Sequence, residues 1–243
     1  MGRLSLRALF VGIAVWMTAV LLGAFLMNIP NLDILEHTAR NLYFHVPLWF
    51  AMIFGFVISA YYSVRVLGAS DRDYPMEYDV RAEQAAFVGS IFGLLGLATG
   101  MVWARFTWYL GSDIWWNFDP KQTMAAVQLL IYGAYFTLRS SLEDDPRRRA
   151  RVSAVYNVFA ASTIPFLIFI VPRRMESLHP GAEGNPAFSD ITDPRMRLIF
   201  YPAILAFFGL FYWLYRQRVH MRSMEERADR LADSRPAPTA SSS

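Results

Sequence analysis

The chain has 243 residues, 55% of them hydrophobic, with a formal net charge of +3, four histidines and no cysteine. A soluble domain sits near roughly 45–50% apolar; here the apolar residues fall in continuous runs rather than stripes, which excludes an ordinary soluble domain and reads as an all-α polytopic membrane protein. The missing thiols exclude disulfides and thiolate metal sites, and the small net charge makes no case for nucleic acid as a partner.

About 20 helical residues cross the ~30 Å hydrocarbon core of a bilayer, and six segments approach that length. The first, residues 6–29, is too long for a signal-peptide apolar stretch and lacks a small-x-small cleavage pattern, so it is expected to be a retained helix. The loop 30–44 follows, with Leu32, Ile34, Leu35 and Leu42 spaced for a short interfacial helix. The second segment, 45–67, opens on His45 and Pro47 in NLYFHVPLWF; proline is tolerated in a first helical turn, where its missing N–H has no partner to lose. The third segment is 85–105. Then comes the loop 105–123, containing WYLGSDIWWNFDPKQT, which holds three of the seven tryptophans.

The fourth segment, 123–138, is the shortest, and 152–171 is the fifth. The loop 172–197 carries Pro172, Pro180, Pro186 and Pro194 and is expected to be an ordered irregular lid rather than a helix. The sixth segment is 198–215. Residues 1–220 are thus read as one six-helix membrane domain and 221–243, ending in SRPAPTASSS, as a charged and then disordered cytoplasmic tail. Gln128, Tyr132, Tyr135, Asn157 and Ser162 fall within the fourth and fifth segments and are expected to hydrogen-bond between helices.

Basic residues set the orientation. They crowd the side that holds the termini, through Arg3, Arg7, Arg65, Arg72, Arg81, Arg139, the run Arg147 to Arg151 and the arginines of the tail. The expectation is six transmembrane helices with both termini in the cytoplasm, and with the loops 30–44, 105–123 and 172–197 facing outward together.

The outward face gathers unusual side chains. Trp108, Trp115, Trp116 and Phe118 suit either an interfacial aromatic belt or a platform for a large flat ligand. Asp119 and Pro120 close that loop, and the carboxylate is placed to cap the next helix. His45 and His179 sit on the same side, each readable alone as a hydrogen-bonded interfacial histidine; His37 reads as an exposed loop histidine and His220 as a solvated one. A haem needs aromatic faces, axial nitrogen ligands and cations for its propionates. The four aromatic residues supply the first, His45 and His179 the second, and Arg105, Lys121, Arg173 and Arg174 the third.

Six helices, an outward WWxxD run, HVP at the second helix and LHP before the last resemble the CcmC/CcsA family of cytochrome c maturation proteins, which handle haem and share a Trp-rich "WWD" domain. The resemblance covers about residues 6–215. Against the family motif, approximately WGxxWxxWDxxxT, Trp115, Trp116, Asp119 and Thr123 match, and Lys121 falls where a basic residue is common. Phe118 stands where tryptophan usually precedes the aspartate, Trp108 is followed by Tyr109 rather than glycine, and Gly111-Ser112-Asp113 read as an insertion. The resemblance implies a transient, non-covalently held haem b, with His45 and His179 as axial ligands. It implies a site on the periplasmic side of the bacterial inner membrane, and delivery rather than enzymatic turnover.

For a short chain the CcmC type is the closer match. That implies a CcmE-like periplasmic haem chaperone, CcmA/CcmB-like ABC transporter subunits and a small CcmD-like subunit as partners, besides membrane lipid. The alternatives are a CcsA-type subunit of a cytochrome c synthase, a small-solute transporter, or a b-type electron carrier. A transporter would place ionisable residues and broken helices near the midplane, and an electron carrier would place its histidines inside the helices rather than at the rim.

Overall fold

Three of the helices start at Asp-Pro pairs. Asp119-Pro120, Asp145-Pro146 and Asp193-Pro194 each put a carboxylate at the cap and a proline at the first helical position, where proline's fixed φ suits the helix and its missing N–H costs nothing. Asp119 accepts from the backbone N–H of Lys121 at 2.9 Å, Asp145 from Arg148 at 3.0 Å and Asp193 from Arg195 at 2.7 Å. Asp193 also binds the Arg195 guanidinium, and these hydrogen bonds hold its carboxyl down at about 2.

The computed structural model describes residues 3–30, 36–70, 76–108, 113–142, 144–179, 191 and 193–233. Pro180, Pro186 and most of the loop expected to form a lid lie outside the described residues, as do Leu32, Ile34, Leu35, Gly111 and Ser112. The tail beyond residue 233 does too. Six long helices are present among the described residues: α1 (Arg3–Leu26), α2 (Leu42–Leu67), α3 (Met76–Thr107), α4 (Pro120–Ser140), α5 (Pro146–Ser162) and α6 (Pro194–Asp233). Among the described residues there is no strand. Five spans among the described residues are long and apolar enough to cross a membrane: Arg7–Leu26, His37–Leu67, Met76–Thr107, Pro146–Arg174 and Pro194–Asp229. α4, with Lys121, Gln122 and Gln128, does not qualify on composition.

The bounds differ from the expected ones where proline acts. α2 starts three residues earlier than expected, after a 3-10 turn over Glu36–Asn41. Pro47 therefore sits inside the helix and removes one helical hydrogen bond. The fifth segment is not one α-helix: α5 stops at Ser162, and a π-helical turn, Pro165–Ile170, and a 3-10 turn, Val171–Arg174, continue it. Pro165 cannot donate to the preceding turn, so the chain widens there.

α2 and α3 form the tightest contact, because α3 presents glycine where α2 presents bulk. A methyl group at Gly93 would lie 2.6 Å from Met52, and one at Gly89 would lie 3.2 Å from its carbonyl oxygen. α1 packs on α6 through Val20, Ala24 and Ala203 and leaves Val15, Leu22 and Phe25 exposed.

Two buried amides pair between helices, as is usual in membrane packing. Asn157 donates to Ser59 and Ser63 at 2.6 and 2.7 Å, and Gln128 to the Ala160 carbonyl at 3.1 Å. Ser162 and Tyr132 depart from the expectation: Ser162 is exposed and bonds back to Phe159 of its own helix, and the buried Tyr132 hydroxyl has no hydrogen-bond partner, its ring instead stacking on Phe56 of α2.

The end of the bundle opposite His45 is tied by charge. Arg139 grips Asp79 with two hydrogen bonds of 2.7 Å and reaches Glu83 at 3.2 Å. Arg149 meets Glu226 at 3.1 Å, and Arg222 lies 3.7 Å from Glu83. From the sequence Arg139, Arg149 and Arg222 serve only to set the orientation, and their acidic partners stand unassigned. They join α3, α4, α5 and α6 in one buried network.

Candidate functional site

His45 is 5% exposed, on the first turn of α2. It fits there because α3 offers Gly100: a methyl group at that position would stand 2.8 Å from His45 Cε1. Gly96, four residues earlier on the same face, makes room for Trp49, whose ring would be 3.0 Å from a methyl group there. The imidazole is fixed at both nitrogens. Nδ1 lies 3.1 Å from the Thr99 hydroxyl oxygen, and Nε2 accepts from the Trp49 indole N–H at 3.3 Å. The rings of Trp49 and Trp103 meet it edge-on, and Trp103 is itself held by donation to Thr38 at 3.0 Å.

His179 comes from the segment after the 3-10 turn and is held by Asp119. The Asp119 carboxylate, buried at the start of α4, accepts from the Ser177 hydroxyl at 2.8 Å and from the Leu178 N–H at 2.9 Å. The Ser177 oxygen accepts in turn from the N–H of His179 at 3.1 Å. One carboxylate therefore caps α4 and pins the strip of chain that carries the second histidine.

The two imidazole centroids are 6.1 Å apart and tilted by 37°, and Trp108 meets His179 edge-on at 6.0 Å. Two imidazoles that shared a metal ion at about 2 Å each, with about 1 Å more to each ring centre, would stand about 6 Å apart, which is the separation of this pair. Both histidines border a cleft of about 1090 Å³, its open mouth included, together with Trp49, Phe50, Trp108, Gln122, Phe169 and others. A largely apolar lining with a few polar groups is the usual form of a ligand site. Among the described residues no cluster of three metal-ligating side chains exists.

Of the residues singled out from the sequence, His45, His179, Trp108, Asp119, Lys121 and Arg173 border the cleft. Trp115, Trp116, Phe118, Arg105 and Arg174 do not line it. Trp115 is 51% exposed with the Arg105 guanidinium over its ring at 5.7 Å, and Arg105 also faces Asp113. Phe118 is 76% exposed and carries a φ of 58°, a left-handed conformation uncommon for a bulky residue; it turns the chain sharply into Asp119 and α4. His37 and His220 are exposed and away from the cleft.

Sequence reasoning missed Trp49, Phe50, Gly96, Thr99, Gly100, Trp103, Gln122 and Phe169. A signal existed for some: His45 and Trp49 are one turn apart on α2, opposite Gly96 and Gly100, one turn apart on α3. Gln122 borders the cleft with its Nε2 buried and without a hydrogen-bond acceptor.

The family profile described as CcmC, Heme exporter protein C, matches residues 2–233 of the chain. Heme exporter protein C of Bradyrhizobium diazoefficiens is 32% identical over 135 residues, which are 55% of this chain and 48% of that protein. Cytochrome c biogenesis protein CcsA of Prochlorococcus marinus subsp. pastoris is 36% identical over 97 residues, 40% of this chain and 30% of that protein. CcsA of Synechococcus sp. strain WH7803 is 34% identical over 89 residues, 37% of this chain and 27% of that protein. The matched stretches thus span half or less of these relatives.

Proposed function

Because this chain belongs to the CcmC family, Heme exporter protein C, we propose that it binds haem non-covalently between His45 and His179 and hands it on during cytochrome c maturation. The observation that carries the reading is the pair of imidazoles 6.1 Å apart at one end of the helices, bordering a cleft with Trp49 and Trp108. Haem b is the cargo. The aromatic walls take the macrocycle, the histidines take the iron, and Lys121 and Arg173 serve the propionates. Gln122, with its unused donor, is a further polar contact.

The same reading crosses the inner membrane six times, α4 included, with both termini in the cytoplasm and the cleft on the periplasmic side; the basic residues at the opposite end of the helices support it. The partners are a CcmE-like chaperone that takes the haem, CcmA/CcmB-like transporter subunits and a CcmD-like subunit. Absence of cysteine suits a carrier that forms no covalent haem bond. A second reading draws on the matches to CcsA proteins: delivery straight to apocytochrome as part of a synthase.

Purification from a haem-producing host tests the first reading. The wild type should carry haem with a low-spin, six-coordinate spectrum, and His45→Ala and His179→Ala should lose most of it. Haem-free wild type, or full occupancy in both variants, would refute it. Transfer of the haem to a purified CcmE-like chaperone rather than to apocytochrome separates the two destinations.

A further inference from the structure

We propose that Thr99 is a positioning residue that fixes His45 as its Nδ1–H tautomer and thereby makes Nε2 the nitrogen offered to iron; the role toward iron rests on the haem-holding reading above. The tautomer follows from counting protons. A threonine hydroxyl has one hydrogen to give and two lone pairs. Thr99 gives its hydrogen to the Gly96 carbonyl at 3.0 Å. Toward His45 Nδ1, 3.1 Å away, its oxygen can therefore only accept, so Nδ1 carries the hydrogen.

The other side of the ring gives the same answer independently. The indole N–H of Trp49 is a donor with no accepting capacity, and it points at His45 Nε2 from 3.3 Å. That contact needs a lone pair on Nε2. Two separate hydrogen bonds thus leave one tautomer, and Nε2 holds the free pair. Trp49 occupies that pair until iron arrives and must then yield it. Thr99 is held in turn by donation from Asn41 to its carbonyl at 3.3 Å, which ties α3 to the start of α2.

The choice of acceptor matters. Metal-bound histidines usually donate their second N–H to a carboxylate, carbonyl or water, which raises the basicity of the ligand. A neutral hydroxyl whose own proton is already given away orients the ring with little push toward imidazolate. That suits a ligand which must let its cargo go.

The test compares the wild type with Thr99→Val, which keeps the shape and removes the oxygen, and Thr99→Ser, which keeps the oxygen. Full-length protein labelled with [15N]histidine, free of haem, reports the tautomer through long-range 1H–15N correlations, with His45→Gln assigning the signal. The wild type and T99S should show Nδ1–H alone, and T99V a mixture. Hemin titration should then give T99V about ten- to a hundredfold weaker binding and a shifted iron midpoint potential, with T99S close to wild type. Protonation of Nε2 in the wild type, or a T99V protein unchanged in tautomer, affinity and potential, would overturn the proposal. A wild type that takes up no hemin refutes the haem-holding reading instead, and the tautomer signals still decide what Thr99 does.

Discussion

The carboxylate of Asp119 accepts three hydrogen bonds, one from its own helix start and two from residues 58 and 59 positions further along the chain. Asp119→Ala therefore removes a cap worth about 1 kcal/mol and also frees the strip that carries His179. The expected outcome is a protein that still folds and still binds haem through His45, now five-coordinate and high-spin, and that returns to low spin when free imidazole is added. Absorption spectra with and without imidazole check this; an unchanged low-spin spectrum in the variant would show that Asp119 does not position His179. The capping half of this role was legible, since Asp-Pro before an apolar run is a local signal. The pinning half was not: no local pattern connects a carboxylate to Ser177, and only the tertiary fold brings them together. Phe118 and Trp115 teach the same lesson from the other side. They stand within a few residues of Asp119, yet their side chains are largely exposed, and Phe118 is itself the left-handed residue at which the backbone turns into the helix.

At the level of the elements, the site depends on how closely α2 and α3 approach. Gly100→Ala places a methyl group 2.8 Å from His45 Cε1, and overpacking of this kind costs about 1–3 kcal/mol. The prediction is weaker hemin binding by up to about a hundredfold if that cost falls on the placement of His45, measured by titration, together with a thermal midpoint lowered by a few degrees. Gly12→Ala, which meets nothing within 4 Å, serves as the control and should bind as the wild type does. Helix number and approximate position were readable from apolar runs alone, because any segment of such length and composition has few other solutions in a bilayer. The bounds were less so. Pro47 and Pro165 were visible, but whether a proline falls in the first turn or the interior depends on where the preceding residues begin to coil. Glu36–Asn41 and Leu42 supply that start, from a stretch whose sequence reads as a separate short interfacial helix rather than as a lead into the second segment.

For the whole molecule, the proposed haem site and the charge network sit at opposite ends. The cleft lies at the His45 end, and the network of Asp79, Glu83, Arg139, Arg149, Arg222 and Glu226 lies at the other. Removing one partner of a buried pair costs about 3–5 kcal/mol. Arg139→Leu should thus lower the thermal midpoint by several degrees while leaving the haem spectrum and the effect of His45→Ala unchanged; a change in spectrum would mean that the two ends are coupled. This network was not legible in the sequence because its members are spread over four helices and each reads, alone, as an ordinary interfacial charge. The two histidines are mounted in unlike ways. His45 stands on a helix wedged against glycine, while His179 hangs on a short irregular strip hooked to one carboxylate. A vice with one fixed jaw and one sliding jaw opens by moving the slider alone. Unhooking it breaks two bonds to a carboxylate, each worth about 1.5–3 kcal/mol, and leaves every helix in place. A protein that grips the 175–179 strip would therefore loosen the cargo without disturbing the bundle that holds the other half.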